Sequence, residues 1–128
     1  MTYNFNNAII RKPNKNIQNG LSSQNLHPQY EVIAEEHSNY IKAINEAGLQ
    51  IKLLESLEEY PDSIFVEDPA LTYKSNVIIL NPFDPSRNGE KNIIKNEIKH
   101  FFDNILFVED GFVEGGDIWT VVDNTKVY

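Results

Sequence analysis

Two stretches decide the fold: YIKAINEAGLQIKLL (Tyr40–Leu54) and IKNEIKHFFDNILFV (Ile94–Val108). Each runs from a helical pattern into an apolar strand, and the second lies about 54 residues after the first. The helix of the first stretch begins at Tyr30, with apolar or aromatic residues at 30, 33, 34, 37, 40, 41, 44 and 47. That spacing predicts an amphipathic helix over 30–47, closed by Gly48. Leu49–Leu54 then reads as a strand. In the second stretch the spacing of 94, 98, 101 and 102 predicts a helix over 90–102, and Ile105–Val108 a buried strand. Phe5–Arg11 (FNNAIIR) is a short strand ended by Lys12-Pro13. Asn14–His27, rich in Asn, Gln and Ser, is a long surface loop of the kind that serves as a lid or is disordered. Ile64–Thr72 and Val77–Leu80 read as two strands around a turn at 73–76, and 81–89 as a loop. A second hairpin is predicted from Asp117–Val122 and Lys126–Tyr128. The whole is a weak repeat of a hairpin–helix–strand unit, as in stacked or propeller-like arrays, and the array looks incomplete at Tyr128.

The chain of 128 residues is one domain's worth of protein, 41% hydrophobic and 23% charged, a globular composition. No run approaches the ~20 apolar residues of a membrane-spanning helix. Met1–Ala8 lacks the cationic and apolar regions of a secretory signal, so the expected location is the cytoplasm. Eleven Lys and Arg against nineteen Asp and Glu give a net charge of −8. With no basic stripe, neither a nucleic acid nor a membrane is an expected partner. The acidic balance suits solubility and a small cationic ligand. There is no cysteine, which excludes disulfides, thiolate zinc sites and a thiolate nucleophile within these residues. No cofactor and no metal are expected.

Three acidic segments stand out: PDSIFVED (61–68), Glu109-Asp110, and EGGD (114–117). Their spacing matches no EF-hand loop. Paired carboxylates also serve acid–base chemistry, or hold a guanidinium, whose planar fork matches a carboxylate bidentately. If Ile64–Thr72 is a strand, Glu67 and Asp68 point to opposite faces unless a bulge intervenes. Alone, such clusters are most often solvated loops. Gly115-Gly116 reads as a tight turn, since no P-loop lysine follows. His37 is expected in the core beneath the first helix, His27 and His100 at the surface, and Trp119 in strand packing.

Taken together in order and spacing, these segments resemble one family. YPDSIFVED (60–68) with Ala70-Leu71 is similar to the P-D-x-x-F-x-E-D-x-A-V segment of dimethylarginine dimethylaminohydrolases. PFDPSRNGE (82–90) resembles their R-P-G-A-P-S-R-x-x-E segment, and EGGD with Ile118 their [DE]-G-G-D-V segment. The resemblance runs from about residue 5 to 128. It implies a pentein fold, an α/β propeller of five hairpin–helix–strand blades, of which 1–128 would be a single N-terminal domain holding about half the blades.

It also implies hydrolysis of Nω-methylated arginine to citrulline and a methylamine, by a cysteine thiolate with a histidine as acid and base. Carried over by position, Asp62, Glu67 and Asp68 would bind substrate, with Asp68 on the guanidinium. Phe65 would wall the apolar stem, and Arg87 would pair with the α-carboxylate. Leu21 would make a lid contact through its backbone, and Glu114 would orient and polarise the catalytic site. The family's histidine lies beyond Gly116 and its cysteine near the C-terminus. The expectation is therefore a substrate-binding wall without a nucleophile, inactive alone and either self-associating or completed by a C-terminal half. Two departures sit beside the arginine: Phe83 and Asp84 replace Gly and Ala of the family's P-G-A-P. The alternatives are another guanidine-modifying pentein, an arginine deiminase or citrullinase, or a non-catalytic binding remnant or subunit. Deiminases show F-x-R-D or W-x-R-D where this chain has FVED (65–68).

Overall fold

The structure is a computed structural model and describes residues 5–118. The predicted hairpin of 117–128 falls mostly outside them, as does Trp119. The chain divides into two compact units, Met1–Val66 and Glu67–Tyr128.

In the first unit, β1 (Asn7–Arg11) and β2 (Gln50–Leu54) pair in parallel, Asn7 opposite Gln50 through Arg11 opposite Leu54. Parallel neighbours need a crossover, and α1 (Tyr30–Glu46) supplies it. Most of the 3.6-residue stripe lies where the sequence places it: Ile33, Ala34, His37, Ile41 and Ile44 are half-buried while Glu35, Glu36 and Lys42 are exposed, but Tyr40 and Ala47, expected on the stripe, are exposed as well. Gly48, at φ 87°, takes the left-handed turn that leads from the helix into β2. Ile10, Ile17 and Leu54 form the buried apolar centre of this unit. The predicted long loop is tied to the segment after β2 by hydrogen bonds. Asn14 is buried, and its amide donates to the carbonyls of Leu57 at 3.1 Å and Tyr60 at 2.8 Å. A 3-10 turn follows at Ile17–Asn19.

In the second unit, β3 (Ala70–Tyr73) and β4 (Asn76–Ile79) form an antiparallel hairpin, and β5 (Asn104–Phe107) adds in parallel beside β4. The crossover from β4 to β5 carries α2 (Pro85–Asn88) and α3 (Glu90–Ile98). Val77, Ile79, Leu80, Ile94 and Ile98 are at most 2% exposed. Each contributes about 1.5–3 kcal/mol by leaving water. In both units a helix thus joins two parallel strands, and β5 starts 54 residues after β2.

Four expectations need correction. The strand expected to be buried at 105–108 is not: in β5 only Ile105 is half-buried, while Leu106 and Phe107 are exposed. Residues 64–69 are not strand. Successive turns fill 61–69, with Ser63 N–H donating to Tyr60 O and Phe65 N–H to Asp62 O, both at 3.0 Å. The strand starts only at Ala70, because Pro69 has no N–H for a ladder. The helix read as 90–102 ends at Ile98: its apolar stripe buries Ile94 and Ile98, whereas Phe101 is exposed. The loop over 81–89 contains α2, signalled by Asp84-Pro85, an N-cap acid before a proline at the first helical position. Among the described residues no helix is long and apolar enough to cross a membrane.

Candidate functional site

The turns of 61–69 set the acids. Because this segment is not a strand, the alternation that would send Glu67 and Asp68 to opposite faces does not apply.

In the first unit, Asp62 is buried, and its Oδ2 accepts the Leu21 N–H at 2.9 Å. Gly20 lies so close that a β carbon there would run into the Asp62 carboxylate. Asp62 therefore fastens the Asn14–His27 loop at Gly20-Leu21. The Leu21 side chain points to solvent, and Phe65 is half exposed. Ser63 is fully buried, and its hydroxyl has no hydrogen-bond partner among the described residues.

In the second unit, the arginine is the centre. Asp84 accepts from Ser86 N–H at 2.9 Å and from Ser86 Oγ at 2.7 Å, capping α2. Those hydrogen bonds lower the Asp84 carboxyl below its ordinary pKa. The cap fixes the single turn that carries Arg87 inward. The Arg87 guanidinium is enclosed, its side chain 5% exposed, and it bonds two carboxylates. Nε and Nη2 reach Glu90 Oε1 and Oε2 at 2.6 and 3.1 Å, and Nη1 reaches Asp68 Oδ2 at 2.7 Å. Burial alone would lower the pKa of the guanidinium. The hydrogen bonds and charges of Glu90 and Asp68 outweigh that and raise it, so the group stays cationic. Removing one partner of such a buried set costs about 3–5 kcal/mol.

The third motif is tied to the first through the backbone. Gly115 N–H donates to Asp68 O at 3.1 Å. A β carbon on Gly115 would collide with Glu67 O, and would come within 3.2 Å of Asp68 Cα. Gly115–Asp117 forms a 3-10 turn in which the Asp117 carboxylate accepts the Glu114 N–H at 3.1 Å. Glu114 is half-buried and Glu67 exposed. Asn81 secures the other flank: its backbone exchanges two 3.0 Å bonds with Val113, and its Nδ2 donates to Gly111 O at 2.6 Å. Its Oδ1 takes donors from Asn88 and Lys91. Beside it, Phe83 and Phe112, both exposed, meet edge to face at 5.1 Å.

Of the seven residues read from the sequence, the structure joins Leu21 to Asp62 in one unit. In the other it joins Asp68 to Arg87 and sets Glu67 and Glu114 on neighbouring backbone. Sequence reasoning gave no role to Glu90, Asn81 or Asn14. Glu90 ends the quoted arginine motif and follows Arg87 by three residues, a helical pair spacing that signals contact. For the two asparagines no sequence signal exists, because their partners are distant carbonyls. Among the described residues no group of three or more His, Cys, Asp or Glu could hold a metal ion.

The model of the family described as N,N dimethylarginine dimethylhydrolase, eukaryotic, matches residues 3–128. The chain is 37% identical over 123 residues to N(G),N(G)-dimethylarginine dimethylaminohydrolase of Pseudomonas aeruginosa, covering 94% of this chain and 48% of that protein. A solved structure from Pseudomonas aeruginosa, a cysteine-to-serine variant complexed with citrulline, superposes with a TM-score of 0.88. It is 38% identical and is matched over 93% of this chain and 48% of that one. A histidine-to-glycine variant of dimethylarginine dimethylaminohydrolase, solved as an adduct with S-methyl-L-thiocitrulline, gives 0.86 at 38% identity, over 91% and 47% of the two chains. The chain spans about half the length of the curated relatives it matches.

Proposed function

The chain belongs to the dimethylarginine dimethylaminohydrolase family, and from that premise we propose that it forms the N-terminal, substrate-binding part of a hydrolase acting on Nω-methylated arginine. The products are citrulline and a methylamine: water replaces one C–N bond of the guanidinium with a carbonyl, and the methylated amine leaves. The observation that supports this most is the Asp68–Arg87–Glu90 cluster held against the Glu114-Gly115 turn. It brings carboxylates and a guanidinium together at the positions of three family motifs.

The substrate is a resonance-stabilised cation at neutral pH. Carboxylates hold it and stabilise the charge-shifted tetrahedral state. In this reading Asp62, Glu67 and Asp68 bind substrate, Asp68 on the guanidinium. Phe65 walls the stem, Arg87 takes the α-carboxylate, Leu21 contacts substrate through its backbone, and Glu114 polarises the reacting centre. None of the 128 residues is a cysteine, so the family's thiolate is not one of them. We read residues 1–128 as one domain, the N-terminal half of a pentein propeller. The parallel pair bridged by a helix, present in each unit, supports that.

The test is citrulline release from Nω,Nω-dimethylarginine by the protein translated from the gene's whole reading frame, beside its Asp68→Asn variant. Release by the parent and loss in the variant are expected. No release from the parent overturns the hydrolase reading, and undiminished release from the variant overturns the role of Asp68.

A further inference from the structure

We infer that Glu90 is a positioning residue that grips Arg87 by its Nε and Nη2 edge, so that the Nη1 edge, now on Asp68, is the edge a ligand carboxylate takes. This rests on the reading of Arg87 as a carboxylate-binding residue and gives a role to a residue that reading leaves out.

Three observations carry it. The Glu90 contact is double, Nε to Oε1 at 2.6 Å and Nη2 to Oε2 at 3.1 Å, and two parallel bonds fix the plane of a guanidinium where one bond lets it swing. Exposure runs the right way: the side chains of Arg87 and Glu90 are 5% and 3% exposed, that of Asp68 22%. A ligand reaches the pair from the Asp68 side. The chain also links the two grips differently. Arg87 and Glu90 lie three residues apart, across Gly89, where α2 passes into α3. Asp68 comes from a separate turn, nineteen residues away. The Glu90 grip is therefore local and persists when Asp68 moves.

The exchange keeps the charge around the arginine constant. Before it, the guanidinium faces Glu90 and Asp68; after it, Glu90 and the ligand carboxylate. No buried charge loses its partner at any stage, which is the condition under which such an exchange stays inexpensive. Asp68, once displaced, turns to the cationic end of the same ligand.

The test is nuclear magnetic resonance of the 128-residue chain labelled with 15N-arginine. The expected result is a slowly exchanging Arg87 Nε–H signal that survives in Asp68→Asn and is lost in Glu90→Gln. Sodium acetate, against sodium chloride at equal ionic strength, should shift the Arg87 Nη signals and leave the Nε–H protected. Three results overturn the inference: protection that survives Glu90→Gln in a folded variant, protection lost in Asp68→Asn, or Nη signals that acetate does not move. Should Glu90→Gln fail to fold, judged by the methyl signals of Val77 and Ile79, Glu90→Asp replaces it. That side chain keeps its charge but is one methylene too short for the double contact, so protection should again be lost, and its survival overturns the inference. No turnover is measured, so a protein that releases no citrulline leaves this outcome intact.

Discussion

Gly115 has no room for a β carbon, and that explains why a glycine follows Glu114. Its backbone lies on that of Glu67 and Asp68, with a hydrogen bond to Asp68 O. Gly115→Ala would push the two segments apart at the point where the first and third motifs meet. Overpacking of this kind costs about 1–3 kcal/mol. The expected outcome is a lower urea midpoint with an unchanged slope; an unchanged midpoint would mean the close approach is not a constraint. At this scale the sequence was informative about chemistry and silent about partners. The residue types around Arg87, and the acids themselves, could be named from motif spacing. The spacing of three residues signals that Glu90 reaches Arg87, but that Asp68 flanks the same guanidinium could not be read, because a pair separated by nineteen residues leaves no periodic trace. Asp84 is the instructive middle case. It is a departure from the family's pattern, yet Asp-Pro-Ser is a helix-start signature, and the acid caps the helix that carries Arg87.

Among the elements, α1 carries a histidine, His37, whose surroundings shift it. His37 sits on the inner stripe, and its Nε2 is buried without a partner among the described residues. Desolvation lowers its pKa from 6.5, and a hydrogen bond with the Arg11 backbone opposes this without reversing it. The folded pKa lies below the unfolded one, so the unfolded chain binds the proton first. The stability from a neutral His37 is complete above pH 6.5 and is lost as the pH falls through that value to the folded pKa. Thermal melts of the parent and of His37→Gln, compared across that range, should converge as the pH falls. A difference that stays constant with pH would exclude the histidine as the cause. The elements themselves were legible where period alone decides: α1, β1, β2, β4 and β5 all stand near their expected bounds. The failures lie where period was overruled. Ile64–Asp68 is apolar enough for a strand, but Pro61, Asp62 and Pro69 bend it into turns. Phe101 and Phe102 fit the α3 period, but the helix ends at Ile98 before reaching them.

For the whole molecule, the repeat is the feature that reached furthest from sequence alone. The 54-residue offset between Tyr40–Leu54 and Ile94–Val108 reappears as the offset between β2 and β5, each the second parallel strand of a helix-bridged pair. What the repeat could not give was the pairing itself: periodicity shows that a segment is strand or helix, not which strand lies beside it. Under the proposed function the acid-rich composition acquires a purpose at this scale. The carboxylates at the motif positions are the natural complement of a permanently charged guanidinium. The central claim is that these 128 residues already carry the wall that holds such a cation, with Asp68 as its principal contact. Calorimetric titration of Nω,Nω-dimethylarginine into the chain measures this directly. The account predicts a saturable heat that disappears in Asp68→Asn. The absence of saturable binding, or an equal heat from Asp68→Asn, would contradict it.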